Sequence, residues 1–408
     1  MHEEIRIHDK RILVRICASG ISVLGSQFFV IAIAVIAVQN VGPVGFSLIL
    51  ITRAIPRIAL LIFGGVVVDR FGPVRLVAAA EFLSAAISLS LGLLSLITVP
   101  KLSLLLLASC CFGVIRAVAD PAEGAIAPYV LANEDLPRYQ GLLLGVQRSA
   151  TVVGAAAGGV VIAAGGVAVG FFVDALTFAV SGGAVLGLRH VAASKKGKGA
   201  DRAGLWKEAR AGLQLVWSNR LLRSLTLLAL GMEFSLQGPI MVGMPVLCMD
   251  RGWGTRAIGA LLSCYSVGSI MGSFAIASVG KRLTKVGVAV SIILLPAGSC
   301  LAVMGLTFAL PMAIASMALI GILSGVVNSL LVPLLQTSCD RAYIGRLMSV
   351  ATLGVSGLTP LSLAIFGILI EVNGPTSAFV CGACGLGCLA LFAFSANRQA
   401  SGGWNGLK

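Results

Sequence analysis

The chain has 408 residues, of which 58% are hydrophobic and only 11% charged, and it carries a formal charge of +14. An ordinary soluble domain is roughly 45 to 50% apolar and about 25% charged. This excess of apolar residues is too large for one globular core and excludes a soluble protein.

Apolar stretches of about 20 residues, each enough to cross a hydrocarbon layer of about 30 Å as a helix, recur along the whole length. Breaks at charged, proline and glycine residues delimit twelve spans: 12–38, 45–67, 74–98, 102–123, 140–164, 167–188, 221–249, 257–279, 287–309, 311–336, 347–370 and 376–396. The first is too long for a cleaved signal peptide, lacks a small-residue cleavage site and is followed at once by a second span.

With both ends of the chain on one side, 23 of the 30 Lys and Arg residues lie on that side, counting Arg15 and Arg223 in the first turns of their spans. Only Lys101, Arg251 and Arg256 fall on the other, and Arg53, Arg57, Arg116 and Arg148 fall within spans. The positive-inside rule therefore puts the termini and the central loop in the cytoplasm. The basic charge is a topology signal, and no nucleic-acid partner is expected.

Five segments follow: an arm over 1–11, a six-helix bundle over 12–188, a central loop over 189–220, a second bundle over 221–396 and a tail over 397–408. The loop opens Lys- and Gly-rich, then LWKEARAGLQLVW spaces its apolar residues as an amphipathic surface helix. The two halves echo each other. EDLPRYQGLLLGV follows span 4 and CDRAYIGRLMSVATLG follows span 10, while Lys281, Arg282 and Lys285 stand after span 8 where Arg70 and Arg75 stand after span 2. Two parallel six-span repeats are expected.

Between spans 2 and 3 the chain reads GGVVVDRFGPVR, residues 64–75. Gly64 and Gly65 admit a neighbouring helix, Gly72 permits a tight turn and Pro73 starts the next helix. Asp69, Arg70 and Arg75 form a charge latch able to hold one conformation and release it in another. The segment resembles the signature of the major facilitator superfamily in the loop where that family carries it. TRAIPR (52–57), DPAEGAIAP (120–128), GAAAGG (154–159), VDALTF (173–178) and LLQTSCDRAYIGRLMSV (334–350) are similar to its branch containing macrolide-efflux proteins and the enterobactin exporter. The resemblance covers about residues 12–396. It implies an all-α integral membrane fold of twelve helices in two six-helix pseudo-repeats, and export of a bulky small molecule driven by proton entry.

Two departures stand out. Many members carry an acidic residue after a Leu-Gly pair in span 1, where this chain has Ser26, so no proton site exists there. Ala155 replaces the proline that usually follows Gly154, which puts the associated kink in doubt, although Gly154, Gly158 and Gly159 still offer a close-packing face.

Ionisable groups within spans are costly and should face the bundle interior with partners. Arg116 and Asp120 are four apart and can pair on one helical face. Arg148 lies at similar depth, and together with Arg53 these groups suit an ion-pair cluster, a gate or an anionic substrate. Asp174 is expected to cap a helix or pair with Arg53 or Arg57, with a proton-coupling or substrate role, open also to Asp120, as the alternative. Glu81 and Glu123 are expected to reach water near span ends. Glu233, about 18 Å into span 7, has no cation within a helical turn; a desolvated glutamate there can hold a proton at neutral pH, which suits a proton-coupling or cationic-substrate site or else a neutral, hydrogen-bonded structural residue. Gln27, Gln237, Tyr265 and Asn328 are candidate polar groups of an apolar cavity.

Cys381, Cys384 and Cys388 share one helical face, which reads as packing among small residues and not as a metal site. No cofactor is expected, and the absence of a catalytic set or P-loop argues against an enzyme. The expectation is a monomeric secondary transporter of the bacterial inner membrane. It would bind amphipathic drugs or metabolites and exchange them for protons by alternating access. A dedicated siderophore exporter is the alternative, and a non-transporting sensor or scaffold a lesser one.

Overall fold

A computed structural model describes residues 10–131, 133–187, 213–214, 216–279, 286–338 and 344–399. Twelve helices in it are long and apolar enough to cross a membrane. The first six are α1 (Lys10–Asn40), α2 (Gly42–Phe71), α3 (Pro73–Ile97), α4 (Leu102–Val130), α5 (Leu136–Gly165) and α6 (Val167–Leu186). The second six are α7 (Arg220–Asp250), α8 (Gly254–Val279), α9 (Val286–Leu306), α10 (Leu310–Thr337), α11 (Ile344–Asn373) and α12 (Pro375–Gln399).

Helix ends follow local chemistry. Gly72, at φ 82°, breaks α2 and presents Pro73 as the first residue of α3, where a missing N–H costs nothing. Gly374, at φ 79°, and Pro375 repeat the device between α11 and α12. Asn219 caps α7, its side chain accepting from the N–H groups of Leu221 and Leu222 at 2.9 and 3.3 Å. Most of the expected loop 189–220 lies outside the described residues, including residues 205–212 and 215 of its proposed surface helix. Some helices outrun the expected spans, as α4 does in continuing from 123 to Val130, while α6 and α9 stop two or three residues short of theirs. Hydropathy registers the hydrocarbon-immersed part of a helix, whereas backbone hydrogen bonding carries the helix on into water.

α3 shows the packing logic. It buries Glu81, Ser84, Ser88 and Gly92, and leaves Leu83, Leu93, Leu96 and Ile97 more than half exposed. A helix of a soluble protein does the reverse. In a bilayer the large apolar side chains meet acyl chains, while small and polar ones meet other helices, where backbones approach closely and hydrogen bonds find partners.

The chain divides into two compact units, Met1–Ala200 with Gly254–Ser263, and Asp201–Trp253 with Cys264–Lys408. Within the first, α1 packs on α5 and α6, α2 on α4, and α3 on α6. Gly113 brings α4 against the backbone of α2, since a Cβ there would strike the carbonyl of Arg53. Gly154 sits on Leu24 and Gln27 of α1, Gly158 on Phe28 and Ile31, and Gly159 on Gly259 at the start of α8.

Within the second unit, α7 packs on α11 and α12, and α9 on α12. These are the pairings of the first unit displaced by six helices. α8 and α10 match α2 and α4, with Gly268, Gly272, Gly321 and Gly325 interlocked so that any Cβ would meet a main-chain carbonyl of the facing helix. The turn Pro239–Gly243 of α7 is π-helical. Just before it, the Ser362 hydroxyl of α11 enters the hydrogen-bond ladder, accepting from Gly238 N–H at 3.0 Å and donating to the Phe234 carbonyl at 2.7 Å.

Candidate functional site

The polar groups that lipid should not tolerate gather in the first unit. α4 carries Arg116, Asp120 and Glu123, whose i, i+4 and i+7 spacing sets them along one face. Arg116 Nη1 lies 3.2 Å from Glu123 Oε1 and 4.0 Å from Asp120 Oδ1. From α2, which the contact at Gly113 holds close, Arg57 Nε donates to Asp120 Oδ2 at 2.7 Å. Two cations and two anions make a neutral chain. Its members keep 57% (Arg57), 27% (Asp120), 19% (Arg116) and 25% (Glu123) of their side-chain surface accessible, so the chain is not sealed in the packed interior.

Arg53, one turn before Arg57, is held differently. Its guanidinium carbon lies 5.6 Å from the ring centre of Phe29 and 5.5 Å from that of Phe112. These rings pack 4.8 Å apart, with Phe171 and Phe178 beyond them and Arg116 over Phe178 at 5.7 Å. Each guanidinium on an aromatic face contributes about 0.5 to 2 kcal/mol. Within salt-bridge distance Arg53 has no carboxylate among the described residues.

Two carboxyl groups lie deeper. Asp174 of α6 has no exposed surface; Ser88 Oγ of α3 donates to its Oδ2 at 2.5 Å, and its Oδ1 has no partner. Glu81, two turns before Ser88, is 3% exposed and accepts from Ser22 Oγ of α1 at 3.2 and 3.4 Å. Neither is in an ion pair among the described residues. Glu81 therefore does not reach water as expected, because α3 turns it inward against α1 and Gly182 of α6. Asp174 takes a serine in place of an arginine, since Arg57 is engaged by Asp120. Arg15, expected among the flanking charges, is likewise buried, with an unpartnered Nε.

The other expected residues are dispersed. Arg148 is exposed on α5 and stays out of the ion-pair chain. In α7, Gln237 Nε2 donates to Glu233 Oε1, so the glutamate has a neutral partner one turn on. Gln27 and Tyr265 are half-buried and Asn328 is exposed. Arg70 and Arg75 are exposed on either side of Gly72, Arg70 over the ring of Phe71 at 5.5 Å. Gly64, Gly65 and Asp69 lie in α2, but the Asp69 side chain is outside the described residues, as is the segment 339–343. Cys381, Cys384 and Cys388 are exposed along α12.

Sequence reading missed the hydroxyls and rings that hold these charges: Ser22, Ser88, Phe29 and Phe112. One signal was available. Glu81 and Ser88 are seven apart in an apolar helix, hence on one face, which marks a polar inner stripe.

Twelve apolar helices with ionisable groups held among them define a multi-pass membrane protein. The chain belongs to the Major Facilitator Superfamily, whose profile matches residues 16–362. It is similar to the multidrug efflux pump Tap of Mycobacterium tuberculosis and Mycobacterium bovis, 24% identical over 391 residues that span 92% of this chain and 91% of the pump. Among solved structures it resembles the nucleoside transporter NupG, with a TM-score of 0.74, 12% identity and coverage of 95% of this chain and 98% of that one. It also resembles a bacterial homolog of the human lysosomal transporter Spinster, inward-facing and unoccupied, with a TM-score of 0.71, 15% identity and coverage of 95% and 96%. At these identities the structural likeness establishes the fold alone.

Proposed function

We propose that this transporter exports amphipathic small molecules, drugs or secondary metabolites, from the bacterial cytoplasm by alternating access, with protons entering in exchange. It works as a monomer in the inner membrane, both termini cytoplasmic and the two bundles 12–188 and 221–396 acting as the moving halves. Likeness to a multidrug efflux pump over nine-tenths of the chain supports the direction and the substrate class.

The observation that carries proton coupling is Asp174. It is fully buried, with one serine for a partner and a free Oδ1, and a charge there is poorly compensated. A proton on Oδ1 removes that charge without moving a helix. Asp174 is the proton carrier in this reading; Glu233, with its amide partner, is the second candidate. The chain Arg57, Asp120, Arg116 and Glu123 is a gate whose pairs re-form as the halves move.

A dedicated siderophore exporter is the second reading, favoured by Arg53. Among the described residues its guanidinium rests on rings with no carboxylate at salt-bridge distance, and it suits an anionic catecholate.

The test follows collapse of an imposed pH gradient in inverted vesicles as macrolides, cationic dyes and siderophores are added in turn. Wild type is expected to release the gradient with one class and Asp174→Asn to lose that flux, with Glu233→Gln run in parallel. Flux with siderophores alone, lost in Arg53→Gln, selects the second reading. Gradients untouched by every compound, in vesicles holding folded protein, would overturn proton-driven export of these substrates.

A further inference from the structure

The second unit carries a cleft that this transport reading leaves unused. α7, α11 and α12 diverge around about 460 Å³ lined by Leu227, Leu230, Phe234, Leu358, Leu389 and Phe392. Gly231 and Gly385 close it at the bottom, where a Cβ would come within 2.6 Å of Leu389 and 2.5 Å of Ser235. α12 buries Gly382, Leu386, Ala390 and Ala393 and exposes Cys384, Cys388, Leu391 and Phe392. Cys388 and Phe392 on that exposed stripe form one lip, and exposed Leu227 forms part of the other. The cleft thus opens onto an apolar outer surface that meets hydrocarbon in a bilayer.

Its dimensions fit one kind of occupant. At about 30 Å³ per water-sized group, the volume holds about fifteen chain carbons, or one acyl chain. Along α7 it begins at Leu227, about 10 Å from the helix start at Arg220, and ends at Ser235, about 22 Å from it. Given a hydrocarbon core of about 30 Å, that interval starts inside the near leaflet and runs past the midplane, the depth an extended acyl chain anchored at the surface reaches.

The surface end is cationic. Arg223 precedes Leu227 by four residues and so stands above the cleft on the same face. It is half-buried and donates only weakly, Nη1 to the Trp217 carbonyl at 3.4 Å. Arg220 lies nearly one further turn out, Trp217 is 58% exposed beside them, and no acidic residue occurs between 220 and 232. Arginine and tryptophan at the edge of a span are the groups that meet phosphate and headgroup.

We propose that this cleft binds one anionic glycerophospholipid, an acyl chain lying along Leu227, Leu230 and Phe234 and the phosphate at Arg223 and Arg220. Only the membrane character of the chain enters the argument, so the inference stands apart from the transport direction and the coupling ion.

Native mass spectrometry of the purified full chain in mild detergent tests it, with phosphatidylglycerol titrated against phosphatidylcholine. A single persistent adduct favouring phosphatidylglycerol is expected. Arg223→Gln should weaken that adduct about fivefold, the equivalent of about 1 kcal/mol for one arginine at an anionic headgroup. It should weaken phosphatidylcholine less, because there the choline cation already offsets the phosphate charge that Arg223 meets, so the preference between the two lipids should shrink. Cys388→Trp, which fills the cleft from an exposed position, should weaken both lipids while the protein elutes as wild type does. Equal binding of the two lipids, or an adduct indifferent to Arg223→Gln, would overturn the headgroup assignment. An adduct that survives Cys388→Trp would place the chain elsewhere, and displacement of the lipid by a transported compound would make the cleft a substrate site; either sinks the proposal.

Discussion

Ser88 and Asp174 are the pair on which the buried chemistry of the first unit turns. A hydroxyl that donates to a buried carboxyl contributes about 1.5 to 3 kcal/mol, and its removal strands the acceptor. Ser88→Ala is therefore expected to lower stability by about 1 to 3 kcal/mol, read as a fall in Tm of the detergent-purified protein. In an Asp174→Val background the same substitution should cost little, because no buried acceptor then remains. The acidic half of this pair was legible in the chain as an intramembrane carboxyl within VDALTF. The serine was not, because Ser88 is one of several serines in the apolar α3, and only its approach to α6 distinguishes it from Ser90 or Ser95, which bond their own helix backbone.

At the scale of elements, α7 shows how a long helix is interrupted without exposing its backbone to lipid. Unsatisfied N–H and C=O groups cost several kcal/mol in hydrocarbon, so a break must be re-satisfied by a neighbour. Ser362 does this for Gly238 and Phe234, one turn from Glu233. Ser362→Ala is expected to destabilise the second unit by about 1 to 3 kcal/mol, measured as accelerated labelling of buried Cys248, while Ser362→Thr should retain the hydroxyl bond. Sequence reading carried the span 221–249 straight through Pro239. Its consequence, a π-helical turn with a serine from α11 in the ladder, depends on a residue 123 positions further on.

For the whole molecule, the distribution of Lys and Arg carries the topological information. Reporters fused at Met1 and at Lys408 are expected to report the same compartment, and one inserted at Lys101 the opposite one, in an assay of membrane-sidedness. Agreement of the terminal reporters with the opposite side for both would reverse the orientation while leaving the even number of spans intact. The two units repeat one pairing scheme, α2 with α4 and α8 with α10 through small residues, and α1 and α7 each with two partners in their own unit. That repetition was faint in the sequence, carried by a few loop residues, because lipid-facing positions accept any large apolar side chain and so preserve little pattern.

By itself the sequence determined that this chain lies in a membrane, that it crosses twelve times, that its halves are related, and that its loop between the second and third helices resembles a transporter signature. Those properties are local: an apolar run long enough to span, a glycine and proline that end one helix and begin the next, a cation held out of the hydrocarbon. Tertiary structure alone decided which intramembrane charges have partners. Arg57 reaches Asp120 across 63 positions, Ser88 reaches Asp174 across 86, and Arg53 is left to two rings from different helices. The rotation of each helix about its axis sets these outcomes, and that rotation is chosen by small residues on facing helices, whose contacts no single segment encodes.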